Sequence, residues 1–185
     1  MDLDGDGTLD MISGSYPGEL YVFRGMGDGT FGEGTTIPGP RGEPLNVGRA
    51  AAPFAADPDE DGDLDLLVGD IRGHVWWVPN ESGGHALTFG VPFKLAVDGE
   101  PIQVGGGDAG PVLADWDQDG RLDLIVGCGD GSVRLHPILF EGGGVSVSVH
   151  RELMPASTGG MSRKQGETAR CGARVKPCVV DFIAD

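Results

Sequence analysis

Twelve aspartates fall into three copies of one pattern. Asp2, Asp4, Asp6 and Asp10 form the first, Asp57, Asp59, Asp61 and Asp65 the second, and Asp115, Asp117, Asp119 and Asp123 the third. In each copy carboxylates stand at positions one, three, five and nine, and glycine (Gly7, Gly62, Gly120) stands at position six. A glycine there lets the chain turn back sharply, so that alternate side chains converge on one point. Position seven carries Thr8, Asp63 or Arg121. Only a backbone carbonyl is asked of it, which accounts for the unrelated side chains. An all-oxygen, charge-rich shell of this kind suits Ca²⁺. Mg²⁺ fits it less well, because that ion keeps its waters and demands octahedral geometry.

Electrostatics lead to the same expectation. Two carboxylates about 4 Å apart repel by roughly 4 kcal/mol at an effective dielectric near 20. Four gathered carboxylates therefore open the loop or raise some of their own pKa values unless a cation joins them. A bound ion removes that cost, and its binding energy becomes folding energy. An EF-hand loop would continue to an acidic residue at position twelve between helices. Here position twelve is Ser13, Val68 or Val126, inside apolar runs. The expectation is three Ca²⁺ sites.

The elements that must hold these loops repeat with them. A glycine follows each first aspartate by twelve residues (Gly14, Gly69, Gly127), and another comes four later (Gly18, Gly73, Gly131). Leu20, Val75 and Val133 then share one position, and Val22, Trp77 and Leu135 the position two beyond. That alternation predicts strands, with the Gly-x-x-x-Gly segment as their hairpin connection. Pro53 and Pro111 sit four residues before their loops, and Pro177 stands in the same relation to Asp181. First aspartates are thus spaced by 55, 58 and 66 residues. A tandem antiparallel unit of this length is the signature of a propeller blade. The fold class expected is all-β: about three four-stranded antiparallel blades of a partial β-propeller. Their limits are 1–54, 55–112 and 113–174, with 175–185 the first strand of a truncated fourth repeat.

Composition bounds the partners. Among 185 residues, 29 are Asp or Glu and 13 are Lys or Arg, a net charge of −16. That balance speaks against nucleic acid and anionic membrane surfaces. No apolar run is long enough to insert in a bilayer. The 34 glycines and 13 prolines punctuate short apolar runs and read as turns. Cys171 and Cys178 could pair, leaving Cys128 single, but an unpaired state is an equal reading. His74, His85, His136 and His150 share no repeat position and read as surface or packing residues.

The loops resemble those of FG-GAP and VCBS repeats, the blades of integrin α-like propellers. Gly25-Met26-Gly27-Asp28-Gly29-Thr30-Phe31-Gly32 is similar to a VCBS segment, as is the second repeat with Trp76-Trp77-Val78-Pro79-Asn80. The resemblance covers most of the chain and fades over 137–176, where Glu141–Gly144 and Ser157–Gln165 are expected to form a long loop. It implies that the twelve loop aspartates hold Ca²⁺ between two strands of a blade, with Thr8, Asp63 and Arg121 contributing carbonyls. It also implies an extracellular or periplasmic setting and a role in adhesion or glycan binding. Asp181 is left out, because Ile183 stands where a ligand is needed.

Met1 directly precedes a loop, and Arg174–Val180 reads as a strand without one. The expectation is a piece of a longer array, with the missing blades as its partners. The alternative is self-association through open strand edges, with Val175–Val180 completing the first blade of another copy. The expected function is a calcium-stabilised module that binds a protein or carbohydrate ligand through its connections (24–48, 79–110 and 136–174). Trp76, Trp77 and Trp116 read first as blade packing and second as ligand contacts. The other reading is a calcium-dependent polysaccharide lyase. It needs a general base and a charge stabiliser converging near the ring centre. No nucleophile elbow, phosphate loop or zinc pattern supports it.

Overall fold

A computed structural model describes residues 1–82, 86–141 and 144–156 of the chain. Among them every regular element is a strand. The first sheet has the order β1 (Met11–Gly14), β2 (Leu20–Phe23), β3 (Thr35–Thr36). The second runs β4 (Ala52–Ala56), β5 (Asp65–Gly69), β6 (Val75–Val78), β7 (Phe93–Lys94). A small ribbon, β8 (Ala96–Val97) with β9 (Glu100–Pro101), follows it. The third sheet runs β10 (Gly110–Ala114), β11 (Asp123–Gly127), β12 (Val133–Glu141), β13 (Gly144–Val147), with β14 (Arg151–Met154) also on β12. Every pairing is antiparallel. These are propeller-type blades, one after another.

Two details differ from expectation. The lead-in strands β4 and β10 belong whole to the second and third sheets, so those sheets begin at Ala52 and Gly110 rather than at 55 and 113. Glu141 and Gly144, expected within a long loop, lie in strands. They pair with each other, and the nine-residue β12 is long enough to hold β14 along Val133–Leu135 and β13 from Ile138 onward. The third sheet therefore has five strands instead of four. Ser157–Gln165, Val175–Val180, His85, Cys171 and Cys178 lie outside the described residues, while Cys128 is buried as a free thiol.

The hairpin glycines work as the repeat requires. Gly18, Gly73 and Gly131 have φ of 108°, 87° and 85°. Each N–H closes a turn on the carbonyl three residues back, of Ser15, Asp70 and Cys128. Gly14 and Gly69 serve a different end. A Cβ on either would strike the backbone carbonyl of Ala51 or Ala109, where the chain enters the next sheet. Pro53 and Pro111 lie in β4 and β10, the edge strands of their sheets, where a missing N–H is tolerated.

The core lies between blades. All of β5 is buried. Its alternate residues Leu66 and Val68 pack with Leu20, Val22, Ile37 and Val47 of the first repeat. Leu67, with Val75 and Trp77, packs against Leu124, Val126 and Cys128 of the third. Trp77 meets the Phe140 ring at 5.1 Å. A strand buried on both faces reads as a continuous apolar run, as Leu66–Val68 and Leu124–Val126 do.

Candidate functional site

The three acidic loops occupy the same place in each repeat, between the lead-in strand and the strand after it. In the second and third repeats those strands pair at Ala56 with Asp65 and at Ala114 with Asp123. In the first, the Asp10 N–H donates to the Met1 carbonyl at 2.6 Å, so Met1 takes the equivalent place. Each loop folds around its first aspartate. Asp57 accepts from the N–H groups of Asp61 and Gly62, both at 3.1 Å. Asp115 accepts from Asp119 at 3.1 Å and Gly120 at 3.0 Å. Asp2 accepts from Gly5 at 2.8 Å and Gly7 at 2.9 Å. The fifth-position carboxylate then caps the seventh N–H in every loop: Asp6 to Thr8, Asp61 to Asp63 and Asp119 to Arg121, at 2.7, 3.1 and 2.9 Å.

Backbone conformation repeats as closely. Gly7, Gly62 and Gly120 have φ of 87°, 93° and 85°, and a Cβ on any of them would meet nothing within 4 Å. Glycine is needed here for its φ alone. The fourth position is also left-handed, at Gly5 (75°), Glu60 (59°) and Gln118 (60°). Sequence reasoning missed this position, because two of its three residues are not glycine. The signal available was Gly5 itself.

Carboxylate oxygens converge in each loop. One oxygen from each of Asp57, Asp59 and Asp61 lies within 4.8 Å of the others, and the same holds for Asp115, Asp117 and Asp119. In the first loop the converging set is Asp2, Asp4 and Asp10. Oxygens on opposite sides of one Ca²⁺, each about 2.4 Å from it, would stand about 4.8 Å apart. A single divalent cation could reach all three oxygens of each set. Asp6 stands outside the first set, and Asp65 and Asp123 outside the second and third.

The ninth-position carboxylates are buried and tie the loops inward. Asp10 accepts from the N–H of Leu3 at 3.0 Å and of Gly25 at 2.8 Å. Asp65 accepts from Asn80 N–H at 2.6 Å, and Asp123 from Trp116 N–H at 3.3 Å. Their electrostatics differ by loop. Burial, then Asp59, Asp63 and Asp61, push the Asp65 carboxyl up to about 7 against the pull of the Asn80 N–H. Burial with Asp117 and Asp119 raises Asp123, and burial with Asp61 and Asp57 raises Asp59. These loops hold more negative charge than their surroundings stabilise, which is the condition a cation relieves.

Asp10 behaves in the opposite sense. Burial pushes it up, but the Gly25 and Leu3 N–H groups and Arg24 together hold it below the usual carboxylate range. Arg24 Nη1 lies 3.0 Å from Asp4 Oδ2 and 3.0 Å from Asp10 Oδ2. Among the described residues, a guanidinium forms ion pairs with the carboxylates of the first loop only. Its counterparts two residues past Trp77 and Leu135 are Pro79 and Pro137. Spacing within the loop could not disclose Arg24, which arrives from the end of β2.

Other sequence expectations separate in space. Trp77 is core, Trp76 is half-buried, and Trp116 is 48% exposed within its loop rather than packed within a blade. His136 is buried, with its ring 5.2 Å from that of His150. Asp28 accepts from Thr30 N–H at 2.9 Å and closes the turn between Gly25 and Phe31.

No curated protein matches the chain. The model of the FG-GAP-like repeat matches it twice, over residues 2–68 and 57–126. Each match runs from the first aspartate of one acidic loop to the strand beyond the next loop, so the family's repeat coincides with the blade repeat. Together the matches cover well over half of the 185 residues, and the chain belongs to the FG-GAP-like repeat family.

Proposed function

We propose that the acidic loops take up Ca²⁺, and that the blades so braced act as an extracellular or periplasmic binding module for a protein or glycan ligand. The observation that carries the reading is the convergence of three carboxylates per loop to within 4.8 Å, at one register of successive sheets. Membership of the FG-GAP-like repeat family supports it. In the second and third loops the ions would be held by Asp57, Asp59, Asp61 and Asp65 and by Asp115, Asp117, Asp119 and Asp123. The carbonyls of Asp63 and Arg121 would complete the shells. Each loop joins two neighbouring strands, so an ion there resists the parting of β4 from β5 and of β10 from β11.

Thermal unfolding with and without a chelator tests the reading. An ion at a thousand times its Kd stabilises by about 4 kcal/mol per site. For a chain of this size that is a melting shift of roughly 10 °C. EDTA is expected to lower Tm by at least that much, and Asp59→Ala or Asp117→Ala to cause part of the loss. An unchanged Tm in EDTA would remove the structural role of the ions.

A further inference from the structure

The first two sheets also meet at their opposite end, where the hairpin turns lie. β5 carries the chain from the acidic loop to that end, a distance of roughly 13 Å at the usual strand rise. There a cavity of about 350 Å³ opens between the sheets, lined by Arg49, Arg72, Lys94, His74, Trp76 and Asp70 among others. The whole chain has 13 Lys and Arg against 29 acids. Three of those cations around one cavity invert the local charge of the molecule.

Asp70 offsets one of these three charges and leaves the cavity net positive. It is 3% exposed, and its oxygens are occupied from within. Oδ1 accepts from the N–H groups of Arg72 and His74, both at 2.9 Å. Oδ2 accepts from Trp76 Nε1 at 3.0 Å and faces His74 Nδ1 at 3.1 Å. Those contacts hold Asp70 well ionised, below its usual range, despite burial. It serves as a post that fixes the Arg72 backbone and the His74 and Trp76 side chains. With its Nδ1 proton directed at Asp70, His74 presents Nε2 as an acceptor, 3.3 Å from Lys94 Nζ. Lys94 Nζ also lies 5.1 Å from the centre of the Trp76 ring, and the Arg49 guanidinium 4.8 Å from that of Tyr16. The neighbours that orient these cations are uncharged or aromatic. Among the described residues none of the three cations forms a salt bridge.

We propose that this cavity binds a carboxylate-bearing sugar, such as a single uronic acid residue of a glycan. Its volume is at the lower end of small-ligand sites, the size of one ring rather than an extended chain. Guanidinium groups offer the paired donors that a carboxylate accepts. Asn46 of the first repeat and Trp76 of the second also line the cavity, and an amide and an indole suit a hydroxylated ring. The proposal rests on reading the chain as a binding module. It does not depend on the acidic loops being filled.

Titration calorimetry and tryptophan fluorescence with D-glucuronate, D-glucose, acetate and inorganic phosphate test it, on the whole chain in calcium buffer. The expected result is saturable binding of one glucuronate. Arg72→Ala and Lys94→Gln should each weaken it at least about tenfold, and glucose and acetate at equal concentration should give no saturation. The Arg72 side chain is exposed and that of Lys94 half-exposed, so both variants should retain the parent Tm, which is measured alongside. Absence of saturation, binding of acetate or phosphate as tight as that of glucuronate, or indifference to both substitutions would each overturn the proposal. A parallel Tm measurement in EDTA separates the two readings. An unchanged Tm there counts against calcium alone, and absent glucuronate binding counts against the cavity alone.

Discussion

Arg24 distinguishes the first acidic loop from the other two. Three aspartates converge in each, yet among the described residues only the first has a guanidinium 3.0 Å from two of its carboxylates. The consequence is visible in the buried ninth position. Asp10 is held low, whereas Asp65 rises to about 7. Replacing Arg24 with glutamine should leave Asp4 and Asp10 facing each other without a counter-charge. In chelator the variant is expected to lose about 1–2 kcal/mol of stability, a figure moderated by the partial exposure of Arg24 and Asp4. It should also bind calcium more tightly at the first loop than the parent does. A chelator-competition titration of both proteins checks this, and identical site numbers and affinities would end the idea of an internal cation. The aspartates of this site were legible in the sequence, because their convergence follows from spacing within nine residues. Arg24 was not, because it lies fourteen residues beyond Asp10 and meets it only through the pairing of β1 with β2.

Strands and turns show a similar division between local and distant causes. Glycines at two positions of each repeat look alike in the sequence and do different work. Gly62 supplies a left-handed φ of 93° with open space around it, so its need is readable from the turn alone. Gly69 ends β5 against the carbonyl of Ala109, and only the docking of the second sheet on the third forbids a side chain there. Gly69→Ala should therefore cost about 2–3 kcal/mol by forcing two sheets apart. Gly62→Ala should cost about 1 kcal/mol, from backbone strain. Urea unfolding of the two variants checks the order, and a Gly62→Ala loss larger than that of Gly69→Ala would refute it. The strands β2, β6 and β12 follow from alternation, and β5 and β11 from short apolar runs, each bounded by turn glycines. The edge strands β3, β7, β8, β9 and β14 are two to four residues long, too short to carry a period, and form because a neighbouring strand offers its free edge.

Charge is a property of the molecule as a whole. A net −16 repels itself at every distance inside a Debye length, and the acidic loops concentrate that repulsion at one end of the blades. Salt should therefore stabilise the chelated protein. Raising NaCl from about 0.05 M to about 0.5 M in EDTA is expected to raise Tm by several degrees, through screening. The same step with calcium present is expected to have a smaller effect, because bound ions will already have offset part of the charge. Calorimetric scans at the two salt levels measure both, and a lower Tm at high salt in EDTA would contradict the argument.

The amino-acid order fixes whatever depends on neighbours along the chain: three loops able to gather oxygens, the turns that close them, and alternating strands that repeat with them. Blade kind follows from that periodicity. Contacts between residues far apart in sequence needed the folded chain. Examples are Arg24 entering one loop and not its counterparts, and β12 extending to hold two partners. The same is true of Arg49, Arg72 and Lys94, which gather around one cavity although they come from three separate segments. Side chains on different strands meet only after sheets have paired and stacked, and no repeat of spacing records which of them will face each other.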